Sequence, residues 1–210
     1  MSRDESTPPD DASSEADGPS RDIDAPIDTD RDPSAVGDAG PQLVVVCGLP
    51  GVGKTTVANR VARLVDGDVL RTDAVRKDLF PEPKYTEAES RAVYRELLAR
   101  AATRLADEES VVLDATFKRR RTRRNAQGLA RAAGVPFRTI KVECDESVVE
   151  RRIANRDGLS DADFEIHRKF RREFDRIEVQ HGVVDNSRSE AATLEQVDEI
   201  LKPGRHGKPR

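Results

Sequence analysis

The stretch that most limits what this chain can become is Leu43-Val44-Val45-Val46-Cys47 running straight into Gly48-Leu49-Pro50-Gly51-Val52-Gly53-Lys54-Thr55-Thr56. Five apolar residues read as a buried strand. The pattern G-x-x-x-x-G-K-[ST] is met by Gly48, Gly53, Lys54 and Thr55, and it predicts a loop whose backbone N–H groups converge on a polyphosphate. Glycine matters because it enters backbone conformations closed to other residues. Pro50, Gly51, Val52 and Thr56 complete the expected phosphate contacts, Lys54 would reach the outer phosphates, and Thr55 would offer its hydroxyl to Mg²⁺. The next residues are apolar at 57, 58, 61, 62, 64 and 65, a helical spacing that brings the positive end of a helix dipole to the anion.

Downstream, apolar runs and helical patterns alternate. Gly67 is expected to close the first helix, and Val69-Leu70-Arg71-Thr72 to form a second strand. Thr72 or Asp73 then caps a helix that Pro81 ends. Thr86-Glu87-Ala88-Glu89 reads as a capping box, opening a long helix apolar at Val93, Leu97, Leu98, Ala101 and Leu105. Ser110-Val111-Val112-Leu113-Asp114 is the third strand, and a helix follows over about 118–133, with Gly134 as its stop. A fourth strand over 136–143, a helix through Arg156, another from Ser160 to about Val179, a short strand over 182–185 and a helix over 193–201 complete the series. Such alternation implies right-handed crossovers and a parallel sheet covered on both faces. Ligands in these sheets collect at the carboxyl ends of the strands.

Acidic residues stand at two of those ends. Asp114, after an apolar run, fits a carboxylate that holds Mg²⁺ beside Thr55, with a helix cap or turn as the plain alternative. Asp73 closes the second strand, and Arg76 follows one helical turn later. Phosphoryl transfer needs a carboxylate to orient the attacking hydroxyl and a cation to hold the acceptor, so both are candidate acceptor-site residues. Arg152 and Arg156 share a helix face and could swing over a bound triphosphate.

Residues 118–124 hold six cations in seven positions, enough to track a nucleic-acid backbone. No aromatic residues are interleaved for base stacking, so a solvated helix face is the preferred reading and nucleic acid is not favoured as a partner. Residues 1–41 carry three arginines against twelve acidic residues and almost nothing apolar, which predicts a disordered, solvating tail. Residues 203–210 read as a flexible end. The charge is thus split, acidic ahead of a mildly basic body over 42–202 that suits an anionic ligand. Nothing resembles a membrane span or a secretory signal, and Cys47 and Cys144 are the only cysteines, which fits a reducing cytoplasm. No obligate protein partner is evident.

Taken together, these residues resemble the P-loop kinases that include the zeta-toxin-like and polynucleotide-kinase-like proteins, within the nucleotide-kinase fold. The resemblance rests on the glycine loop, Arg71-Thr72-Asp73-Ala74-Val75-Arg76-Lys77, Val112-Leu113-Asp114-Ala115-Thr116-Phe117, Glu150-Arg151-Arg152-Ile153-Ala154-Asn155-Arg156 and Ser160-Asp161-Ala162-Asp163. It implies a three-layer α/β P-loop NTPase fold, with a parallel five-stranded sheet in the order 2-3-1-4-5, helices on both faces and a small helical lid. It also implies ATP with Mg²⁺ as donor, Lys54 and Asp73 as catalytic residues, Arg76 as an acceptor contact, and Arg152 and Arg156 as lid arginines. The expected activity is transfer of the γ-phosphoryl group to a hydroxyl of a small-molecule or nucleotide-like acceptor. A polynucleotide 5′-hydroxyl is the alternative acceptor, and a nucleotide-binding regulatory ATPase without transfer is the third reading.

Overall fold

A computed structural model describes residues 40–154 and 161–202. Residues 1–39, residues 155–160 with Arg156 among them, and residues 203–210 lie outside the described residues. Twelve elements follow in order: β1 Leu43–Gly48, α1 Lys54–Val65, β2 Gly67–Arg71, α2 Thr72–Leu79, α3 Glu87–Ala106, β3 Ser110–Asp114, α4 Arg120–Ala133, β4 Phe137–Glu143, α5 Glu146–Ala154, α6 Asp161–Glu173, β5 Gly182–Asp185 and α7 Glu190–Leu201. The sheet is wholly parallel and runs β2-β3-β1-β4-β5, the expected order.

β1 lies at the centre, between β3 and β4, and all six of its residues are buried. Successive side chains of a strand face opposite ways, so one run feeds two cores. Leu43, Val45 and Cys47 join Val93, Leu97 and Ala101 of α3 and Ala126 and Ala130 of α4. Val44 and Val46 join Val57 and Val61 of α1, Val149 of α5, Phe164 of α6 and Val197 of α7. A continuous apolar strand is what a two-sided burial demands.

Several boundaries depart from the sequence reading, each for a physical reason. Asp66, not Gly67, ends α1, with a left-handed backbone (φ 46°). Gly67 instead opens β2, where an added Cβ would sit 2.6 Å from the Ser110 carbonyl oxygen of the neighbouring strand. Neither Thr72 nor Asp73 caps α2, because the cap position is Arg71 and both residues lie inside the first turn. Thr86 does cap α3 by accepting the Glu89 N–H, but the Glu89 carboxylate accepts the Lys84 N–H, so that side of the capping box is diverted.

α4 begins at Arg120, two residues later than expected, and α6 stops at Glu173 instead of continuing to about Val179. Both shifts share a cause. Asp175 N–H donates to the Lys118 carbonyl, and Arg123 donates to the carbonyls of Asp175 and Arg176, so the chain after α6 is drawn out against the head of α4. α7 starts early, at Glu190, because the Ser189 hydroxyl accepts the Ala192 N–H as its cap.

Candidate active site

β1 ends at Gly48 and α1 begins at Lys54, so the phosphate-type loop spans the head of α1. Gly51 and Gly53 have φ of 82° and 88°, the left-handed region that glycine enters without strain. Packing also demands glycine here. A Cβ on Gly53 would fall 2.1 Å from Asn186 Nδ2, and one on Gly48 would fall 2.5 Å from the Val142 carbonyl oxygen.

The two residues that sequence reading assigned to a metal are bonded to each other. Thr55 Oγ1 donates to Asp114 Oδ2 at 2.8 Å, across the gap between α1 and β3. Asp114 is therefore occupied by the loop threonine and is not acting as a helix cap. It is only 5% exposed, and Arg71 Nε, at the tip of β2, approaches the same oxygen to 3.4 Å. Hydroxyl and carboxylate oxygens are hard donors suited to Mg²⁺, which keeps water and phosphate ligands and needs few from protein. No group of three or more His, Cys, Asp or Glu converges among the described residues.

Lys54 folds back so that Nζ donates to the Leu49 carbonyl at 2.9 Å. Burial drives its ammonium pKa down, and the charges of Asp114 and then Asp73 oppose that shift. Both carboxylates thus stand within electrostatic reach of the loop lysine, at the carboxyl end of the sheet. Asp73 is exposed in the first turn of α2.

Arg76 does not pair with Asp73. Its Nη1 lies 3.6 Å from Glu89 Oε2, too long for a hydrogen bond, and its guanidinium lies 4.9 Å from the centre of the exposed Tyr85 ring. Arg152 lies beside the loop. Its Nη1 reaches Cys144 Sγ at 3.5 Å and is 3.9 Å from where a Cβ on Gly53 would sit. Arg156 lies outside the described residues.

Five of the six cations over 118–124 have partners within the chain, while Arg121 is exposed. Lys118 and Arg119 pair with Glu173, Arg120 and Arg124 with Glu178, and Arg123 is buried under its three carbonyl bonds. Three residues near the loop went unsingled by sequence reading: Arg71, His167 and Asn186. Arg71 and Asn186 each stand at a carboxyl end of a strand, and that position was the signal available for them. His167 carried no such signal, since its partner is 117 positions away.

A glycine loop at the head of a helix, a threonine–aspartate pair between adjacent elements and a 2-3-1-4-5 parallel sheet define a P-loop α/β nucleotide-binding fold. Within that class the chain belongs to the AAA domain family, whose model matches residues 43–177. An uncharacterized protein of Mycobacterium tuberculosis (strain H37Rv) is 36% identical over 140 residues, covering 60% of this chain and 28% of that protein. The chain therefore spans little more than a quarter of the length of such relatives. Among solved structures, the M. tuberculosis APS kinase in complex with AMPPNP and APS superposes with TM-score 0.62 at 24% identity, covering 78% of this chain and 96% of that one. A gluconokinase from Sinorhizobium meliloti 1021 gives 0.58 at 23%, covering 76% and 90%. These likenesses establish a shared fold with P-loop kinases.

Proposed function

We propose that this chain transfers the γ-phosphoryl group of ATP to a hydroxyl of a small-molecule or nucleotide-like acceptor, as a member of the zeta-toxin-like and polynucleotide-kinase-like group. The observation that carries this is the 2.8 Å bond between Thr55 and Asp114 beside a lysine that feels both Asp114 and Asp73. The loop over Gly48, Pro50, Gly51, Val52, Gly53, Lys54, Thr55 and Thr56 cradles the phosphates. Lys54 exchanges the Leu49 carbonyl for a phosphate oxygen. Thr55 and Asp114 would hold Mg²⁺, which supplies charge neutralisation between the outer phosphates. Asp73, not used as a cap, orients the acceptor hydroxyl and accepts its proton. Arg152 and Arg156 neutralise charge as it moves to the leaving oxygen. Arg76 serves the acceptor side, held in place by Glu89 and Tyr85.

Partners within the chain engage five of the six cations over 118–124, which weakens the main support for a polynucleotide acceptor. Two free cysteines fit a cytoplasmic location. No helix among the described residues is long and apolar enough to cross a membrane. A coupled ADP-release screen over small hydroxyl compounds, nucleosides and 5′-hydroxyl oligonucleotides, with Lys54→Ala as the blank, tests the proposal. Acceptor-stimulated turnover by small compounds is expected. Turnover with oligonucleotide alone would make the chain a polynucleotide kinase, and ATP binding without any stimulated turnover would make it a regulator.

A further inference from the structure

Two side chains from distant elements hold carbonyls of the phosphate loop. Asn186, in the turn after β5, donates from Nδ2 to the Val52 oxygen at 2.8 Å while its Oδ1 accepts the Thr193 hydroxyl. His167, on α6, places Nδ1 at 2.8 Å from the Pro50 oxygen. A carbonyl only accepts, so Nδ1 carries the proton. The ring is 2% exposed and stacks on Phe164 at 5.9 Å.

The consequence follows from peptide geometry. In a planar trans peptide the C=O and N–H point in opposite directions. Holding the Pro50 oxygen toward α6 therefore turns the Gly51 N–H away from α6. Holding the Val52 oxygen toward Asn186 turns the Gly53 N–H away from the β5–α7 turn. These are N–H groups of the kind such a loop offers to an anion. Gly51 is free of the Cβ restraint that would otherwise resist a peptide flip, so an external donor has something to prevent.

We propose that His167 is a positioning residue that fixes the Pro50–Gly51 peptide in its phosphate-binding orientation, making nucleotide affinity depend on how α6 is seated. Asn186 does the same for the next peptide but one, from a turn tied to β4 through its own N–H on the Glu143 carbonyl. α6 is seated by Phe164 in the core, by Arg168 and Arg171 on Glu146 of α5, and by Lys118 and Arg119 on Glu173. The inference rests on the reading of the loop as a nucleotide site.

The test compares His167→Phe, which keeps ring volume and the Phe164 stack but cannot donate, with His167→Asn, whose amide can put a donor near the Nδ1 position. On the full chain, amide hydrogen exchange over residues 49–56 is measured without nucleotide, and AMPPNP affinity with Mg²⁺ is measured by calorimetry. For His167→Phe, we expect faster exchange and roughly tenfold weaker binding, the scale set by a lost hydrogen bond to a buried carbonyl. His167→Asn should return to within about threefold of wild type, on the same scale. If wild type binds AMPPNP and His167→Phe binds equally well with unchanged exchange, this inference alone is overturned. The same holds if His167→Asn is as impaired as His167→Phe, because bulk and not the donor would then be at work. A wild-type chain that binds no AMPPNP overturns the nucleotide reading, and with it the affinity half of the inference.

Discussion

Tyr94→Phe removes one oxygen atom and tests how the tip of β3 is held. Tyr94 of α3 accepts the Phe117 N–H on its hydroxyl at 2.9 Å, and the two rings meet edge to face with centroids 5.2 Å apart. Phe117 is fully buried with φ 46°, in the segment that leaves Asp114 for α4. Phenylalanine keeps the ring contact, so the loss is the hydrogen bond, together with the penalty for a buried N–H left without a partner. That penalty is about 1–3 kcal/mol. At about 2 kcal/mol, and about 2–4 °C per kcal/mol for a chain of this length, the melting temperature should fall by roughly 4–8 °C. Calorimetry gives the shift, and exchange of the Phe117 amide localises it. A melting temperature within about 1 °C of wild type, with Phe117 protection intact, would refute the account; about 1 °C is at most half the smallest shift this penalty implies.

The same hydroxyl gives a pH signature. Burial pushes the Tyr94 pKa up to about 12, with the Phe117 N–H opposing. An unfolded tyrosine ionises near 10, so between about 10 and 12 the unfolded chain holds fewer protons than the native one. Stability then falls as pH rises through that window, by up to about 1.4 kcal/mol per unit, and Tyr94→Phe should lack this component.

Four further outcomes are expected. Gly48→Ala should abolish nucleotide binding, as its Cβ would collide with the backbone oxygen of Val142, whereas Gly128→Ala in the open middle of α4 should stabilise the fold by about 0.5–1 kcal/mol in urea titrations. Asp73→Asn should leave AMPPNP affinity intact and reduce transfer by about a hundredfold or more in steady-state assays; collapsed affinity with unchanged turnover would make Asp73 structural. Cys47, buried and with its thiol pushed up to about 12, should resist iodoacetamide at pH 8 until the chain is unfolded, so native intact mass should show no more than the Cys144 adduct.

What the sequence revealed and what it hid divide along the range of the interactions. β1, the glycine loop, Asp114 at the end of β3 and the bounds of β5 were legible because each is written in consecutive residues: an apolar run, a glycine spacing, a turn signal. The early end of α6 was not, because the helical pattern runs on past Glu173 and is overridden by Arg123, about fifty positions away. The same distance blindness hid His167 and Asn186, whose loop partners are 117 and 134 positions distant. Arg76 follows Asp73 by one helical turn, and nothing in the sequence signalled that Glu89 and Tyr85 would flank its guanidinium, since that depends on the path of the 80–86 segment.

β1 also has a history during synthesis and refolding. Its flanking partners are β3 and β4, which begin at Ser110 and Phe137, so its hydrogen-bonding edges emerge well before the strands that pair with them. An unpaired run of β-branched residues is a template for self-association between chains. Twelve carboxylates against three arginines precede it in the sequence, and like charge so placed would oppose the alignment of two nascent copies.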